Sequence, residues 1–146
     1  MTHTALPDRL AETREEFLEL AEPDRLQLLL EYSRELPPVP EEYEGRPELR
    51  ERVVECQSPV FIIVDVHSDG EVVMYATAPA EAPTTRGFAS ILAQGITGLS
   101  ADEVLAIPDD YPQSIGLTRA VSPLRIAGMT GMLLRVKRLV REKRPA

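Results

Sequence analysis

VFIIVDV (residues 60–66), HSDG (67–70) and EVVMYAT (71–77) follow one another in the middle of the chain, and their reading decides the fold. The first run is apolar and rich in β-branched residues, as in a strand buried on both faces. Ser68-Asp69-Gly70 is turn chemistry, and the second run returns with strand character, so residues 60–77 form a β-hairpin. Residues 52–55 read as a further short strand.

Outward from the hairpin the periodicity turns helical. Asp8 to about Ala21 is a helix with Leu10, Phe17 and Leu18 on one side. Asp24, with Gln27 three residues on, is the expected cap of a second helix, along which Leu26, Leu29, Leu30, Ser33 and Leu36 make a stripe. Pro37, Pro38 and Pro40 stop it, leaving residues 37–48 as a rigid acidic connection. After the hairpin, Thr84 or Thr85 opens a helix carrying Phe88, Ile91 and Leu92. Ser100 and Glu103 form a capping box for a short helix ended by Pro108. Ser122 caps the last helix, with Pro123 in its first turn, and Met129, Met132, Leu133, Val136, Leu139 and Val140 keep its period. Helices, then strands, then helices indicate an α+β class: a three-stranded antiparallel sheet packed against N-terminal and C-terminal helices, with residues 1–146 as a single domain.

Composition narrows the chemistry. The 146 residues carry a net charge of −8, which disfavours nucleic-acid binding. No run suits a membrane span, and Met1 to Arg9 has no secretory pattern, so a cytoplasmic location is expected. The basic C-terminal run (Arg135, Lys137, Arg138, Arg141, Lys143, Arg144) reads as a solvated helix face. The single cysteine, Cys56, excludes an internal disulfide, a zinc finger and a cluster cage built by this chain alone.

Cys56 lies in the polar stretch Glu55-Cys56-Gln57-Ser58-Pro59, at the lip of the sheet, where a reactive group can be both held and reached. A lone cysteine is more often a small buried hydrophobe, but this setting is not an apolar run. A cysteine hydrolase needs a histidine base in reach. His3 lies at the terminus, and an extended strand would carry His67 roughly 35 Å away. A dithiol oxidoreductase needs a second cysteine. Acceptance of sulfur from a partner's persulfide survives these tests. It requires a thiolate, and Arg125 is a candidate activator: a cation in the first turn of a helix works against the dipole there. Pairing of Arg125 with one of the many acids is the alternative, and the sequence leaves the two open. Gly128 and Gly131, each costing about 1 kcal/mol in a helix, admit either a close approach of the cysteine loop or tight core packing.

Several stretches in order resemble the SufE family of sulfur-transfer proteins. Cys56-Gln57-Ser58 before an apolar strand is similar to that family's Cys-Gln-Ser motif. Leu36-Pro37, Arg86-Gly87 and Ser122-Pro123-Leu124-Arg125 with Gly128-Met129 match further motifs across roughly residues 24–140. The resemblance implies a fold shared with IscU-like scaffolds. It implies Cys56 as persulfide acceptor, with Gln57 and Ser58 beside it, Arg125 near it, and Glu81 where the family has an aspartate. It implies a SufS-type cysteine desulfurase as donor and a SufB-containing scaffold complex as recipient. Pyridoxal phosphate would belong to the desulfurase, and this chain would carry no cofactor or metal, only the covalent persulfide, as a monomer or homodimer. The chain departs from the family at Glu55 (usually glycine), Phe61 (commonly tryptophan) and Ala80-Glu81-Ala82 (usually Ser-Asp-Ala). Glu55 is expected to raise the Cys56 pKa. Two other readings are a regulatory partner of a desulfurase that carries no sulfur, and a redox-reactive single-cysteine protein.

Overall fold

The structure is a computed structural model that describes residues 6–145; His3 lies outside them. Seven α-helices and three strands make up the described residues, with one 3-10 turn at Pro47–Leu49. They are α1 (Asp8–Glu19), α2 (Glu22–Arg34), α3 (Glu41–Glu44), β1 (Glu51–Arg52), β2 (Phe61–Val66), β3 (Val72–Thr77), α4 (Pro83–Ile96), α5 (Ala101–Leu105), α6 (Tyr111–Ser114) and α7 (Pro123–Lys143). The strands form one antiparallel sheet in the order β1-β2-β3, with Arg52 opposite Phe61 and Ile63 opposite Tyr75. The α+β class and the three-stranded sheet follow the sequence reading.

Both faces of β2 are covered, as its composition demands. Ile62 and Val64 join Val72, Met74 and Ala76 in the main core beneath α4 and α7. Ile63 and Val73 face the other way and pack with Tyr43, Val39, Leu49 and Tyr75. The acidic connection therefore does more than link. Its three prolines direct it under the sheet, where α3 inserts Tyr43 as the lid of the second face. The Tyr43 hydroxyl donates to Asp65 Oδ2 at 3.0 Å, which satisfies a polar group at that boundary.

Local signals set the helix ends with mixed success. Ser100 and Glu103 make the expected reciprocal capping box. The Ser122 hydroxyl accepts from the Arg125 amide, with Pro123 in the first turn. Asp24 is not a cap: Pro23 occupies the first turn, so α2 starts at Glu22 and Ala21 is its uncapped N-terminus. Likewise α4 begins at Pro83, one residue ahead of Thr84, because proline presets helical φ and loses no needed donor there. α1 ends at Glu19, short of Ala21, and α5 ends at Leu105, ahead of Pro108. Leu18 is 48% exposed and does not share the buried side with Leu10 and Phe17, whereas Tyr32 joins Leu29 and Ser33 on the buried side of α2. The strand expected over residues 52–55 is the pair Glu51–Arg52. Beyond Val53 the chain leaves the sheet, and the Cys56 amide closes a turn on the Val53 carbonyl at 3.0 Å.

The motif residues Arg86 and Gly87 hold α2 against α4. The Arg86 guanidinium donates to the carbonyls of Ser33 (2.8 Å) and Ala78 (2.6 Å), tying the end of β3 to the end of α2. A Cβ on Gly87 would lie 2.4 Å from the Leu29 carbonyl oxygen. Among the described residues no helix is long and apolar enough to cross a membrane.

Candidate functional site

Cys56 occupies the loop between β1 and β2. The loop base is fixed: Val53 and Val60 are fully buried, and the Val53 amide donates to the Val60 carbonyl at 2.9 Å. Between these anchors the chain crosses α7 at its two glycines. A methyl group on Gly128 would come within 3.1 Å of Cys56 Sγ, and one on Gly131 within 2.7 Å of the Glu55 side chain. The question left open by the sequence is thus answered, since both glycines admit the cysteine loop. No Cβ-bearing residue could sit at Gly131 without moving Glu55.

The thiol is 8% exposed, yet it borders a pocket of about 90 Å³. That is room for a few waters. The pocket brings together all five residues singled out from the sequence: Cys56, Gln57, Ser58, Glu81 and Arg125. Glu55 from the loop, Ala82, Pro83, Thr84 and Thr85 at the start of α4, and Leu124 and Gly128 from α7, complete it. Two helix N-termini therefore converge on the cysteine, and no side chain caps the one at α4. Positive helix ends and the Arg125 guanidinium make this an environment for an anion. Leu124 (55% exposed) and Val54 (65%) leave apolar surface beside it.

The resting thiol is nevertheless held protonated. Burial pushes the Cys56 thiol up, the Glu55 carboxylate pushes it the same way, and Arg135 partly opposes them. Arg125 is not among the groups that shift it. The cation that acts on the thiol is Arg135, which the sequence reading assigned to a solvated face. That face is solvated only in part. Arg135 bridges Glu55 (2.8 and 3.2 Å) and Glu51 (2.8 Å), and Arg138 also pairs with Glu51. Lys137 is buried and donates to the Ile107 carbonyl (2.6 Å) and Asp109 (2.7 Å), and Lys143 reaches the Val64 carbonyl. A signal was available: Arg125, Gly128, Gly131 and Arg135 recur in steps of three and four, which puts them along one side of the helix.

Burial pushes the Glu51 carboxyl up, but hydrogen bonds from Arg138 and Arg135 outweigh it and hold the group below the ordinary glutamate range. The Arg135 hydrogen bonds hold Glu55 low as well. Both carboxylates therefore bind a proton more weakly when folded. Their contribution to stability is present above the ordinary glutamate range and is lost as pH falls through the folded values. The urea midpoint is expected to fall between about pH 5 and 3, with a shallower fall in Glu51→Gln. Parallel pH profiles for the two proteins would refute this assignment.

His67 sits in the β2–β3 turn, at the opposite end of β2 from the cysteine loop. Its Nε2 lies 3.3 Å from the Tyr43 hydroxyl and its Nδ1 3.6 Å from Glu71. It has no part in the cysteine site. The ligand atoms of His67, Asp69 and Glu71 lie within 4.8 Å of one another, and Asp69 already accepts the Glu71 amide, as hairpin turns do.

Comparison with known proteins follows the same lines. Residues 11–140 match the SufE family of Fe-S metabolism associated domains. The chain belongs to the SufE family. A SufE-like protein of Mycobacterium tuberculosis (strain H37Rv) is 47% identical over 138 residues, covering 94% of this chain and 95% of its own length. A SufE-like protein of Synechocystis is 33% identical, covering 88% of this chain and 77% of its own. The fold is shared with a solution structure of a hypothetical protein from Thermus thermophilus, at a TM-score of 0.82 and 38% identity, with 95% of this chain and 98% of that one covered. SufE membership gives the chain a role in iron–sulfur metabolism.

Proposed function

We propose that the protein accepts sulfur from the persulfide of a SufS-type cysteine desulfurase on Cys56, carries it, and passes it to a SufB-containing scaffold complex. The observation that carries this reading is the convergence of two helix N-termini and Arg125 on the only cysteine of the chain. In the transfer the Cys56 thiolate attacks the outer sulfur of the donor persulfide. A new S–S bond forms on Cys56, the donor's S–S bond breaks, and the donor cysteine leaves as a thiolate. No net oxidation occurs, so neither a second cysteine nor a cofactor of this chain is required. Pyridoxal phosphate belongs to the desulfurase.

The pocket suits the product better than the reactant. A buried neutral thiol is a poor nucleophile, so the resting protein is protected from adventitious oxidation. A persulfide is more acidic than a thiol and ionises where helix ends and a guanidinium face it. Attack itself requires the loop to move outward, where the thiol is solvated and can lose its proton. Gln57 and Ser58 follow the thiol in that movement, and Glu81 faces it across the pocket from the α4 side. Leu124 and Val54 offer apolar surface on which the donor can seat.

Intact-protein mass spectrometry after incubation with desulfurase and cysteine tests the proposal. Addition of one sulfur atom, removed by a reductant and blocked by prior alkylation of Cys56, is expected. An unmodified mass after donor turnover would defeat it. Arg125→Ala is expected to slow loading by about tenfold or more, the worth of one charge-assisted contact. Equal loading rates would remove Arg125 from the mechanism.

A further inference from the structure

Glu55 stands where a glycine is usual, and a carboxylate beside a nucleophilic thiol is unfavourable. The structure shows what compensates it. The side chain of Glu55 lies across Gly131 and ends in two hydrogen bonds from Arg135, from Nε at 2.8 Å and Nη2 at 3.2 Å. The third guanidinium nitrogen is held by Glu51 at 2.8 Å, and Glu51 is held in turn by Arg138, which also pairs with Glu142 at 2.9 Å. Arg135 is thus pinned to β1 and α7 independently of the loop.

The loop has few other ties to α7. Its anchors, Val53 and Val60, lie at its base, and the Cys56 amide bonds within the loop to Val53. Outward movement also breaks van der Waals packing: Cys56 belongs to the main core and lies over Gly128, and Glu55 lies over Gly131. The Glu55–Arg135 pair is the directional interaction that closes it.

We propose that Glu55 and Arg135 form a latch on the cysteine loop, with Arg135 a positioning residue that sets how readily Cys56 leaves its pocket. The proposal deepens the sulfur-acceptor reading and rests on it for its biological meaning. A donor opens the latch by presenting its own cation to Glu55 or its own carboxylate to Arg135, which couples docking to exposure of the thiol. The charged groups around the loop are Glu51, Glu55, Glu81, Arg125, Arg135 and Arg138. Only Arg135 bonds directly to a loop side chain among the described residues.

The test is the pH profile of Cys56 alkylation by iodoacetamide in wild type, Glu55→Gln, Arg135→Gln and the double variant, with Arg135→Lys as the conservative change. The high-pH plateau reports exposure, and the midpoint reports ionisation. Each single variant is expected to raise the plateau about fivefold, equivalent to about 1 kcal/mol of closed-state preference. The double variant should go no further, and Arg135→Lys should fall between. The midpoint should move downward in Glu55→Gln, where loss of the carboxylate and greater exposure both favour the thiolate. Raised salt should increase the wild-type plateau and leave the double variant unchanged. Equal plateaus in the wild type, both glutamine variants and the double variant, or single effects that add in the double variant, would overturn the latch. Alkylation needs no sulfur donor, so the latch can fail while Cys56 still loads sulfur, or stand while loading fails.

Discussion

Cys56→Ser is expected to abolish sulfur loading completely while holding the urea midpoint within about 1 kcal/mol of wild type. The fold tolerates the change because Sγ borders a pocket with polar walls, so a hydroxyl there can find water. The chemistry does not tolerate it, because serine cannot hold a sulfane sulfur. Loading is read by intact mass, and donor stimulation by the rate of alanine release from cysteine. Loss of both supports a carrier that accelerates the donor by relieving it of persulfide. A serine variant that still stimulates the desulfurase as well as wild type would instead make the protein a regulatory partner. That alternative gains weight from the burial and raised pKa of the resting thiol. Peroxide consumption by purified wild-type protein at neutral pH would point to the redox-reactive reading, which the protected thiol disfavours.

Gly87→Ala is expected to destabilise the protein by about 2–3 kcal/mol, the range for overpacking in a well-filled core. In an exposed helix the same change would stabilise by about 1 kcal/mol. Here the added methyl would meet the Leu29 carbonyl oxygen at 2.4 Å and Leu29 Cδ1 at 2.8 Å. The first of these is backbone and cannot rotate aside, so α2 and α4 must separate. Arg86 crosses the same interface to the Ser33 carbonyl, so separation strains that bond too. Urea unfolding followed by circular dichroism would measure the cost, and an unchanged or raised midpoint would refute the close approach. Loading by the folded fraction should persist, since Gly87 does not line the cysteine pocket. The Arg86-Gly87 pair is therefore a fold signature, whereas Cys56-Gln57-Ser58 and Ser122-Pro123-Leu124-Arg125 deliver residues to the site.

These two predictions mark how far the sequence could be read. Residues 60–77 declared a hairpin through an apolar, β-branched run, the turn Ser68-Asp69-Gly70 and a returning strand, all of which act within a few residues of one another. Ser122-Pro123 and Ser100 with Glu103 fixed helix starts for the same reason: a cap is satisfied or left empty within one turn. Asp24 failed as a cap because Pro23 already supplied a helix start, a competition between two local signals. Tyr43 was missed because α3 is only four residues long, and its role lies in covering Ile63 and Val73 from beneath.

By itself, then, the sequence determined the hairpin strands, the long helices and the fact that Cys56 is the single thiol on offer, because periodicity, caps and the count of thiols need no partner distant along the chain. Only the tertiary structure decided that Gly128 and Gly131 seat the cysteine loop, that Cys56 rests buried, and that Glu55 meets Arg135. Arg135 and Glu55 are 80 residues apart. Their meeting depends on how α7 crosses β2, and packing of that kind leaves no mark on either residue's neighbours in the chain.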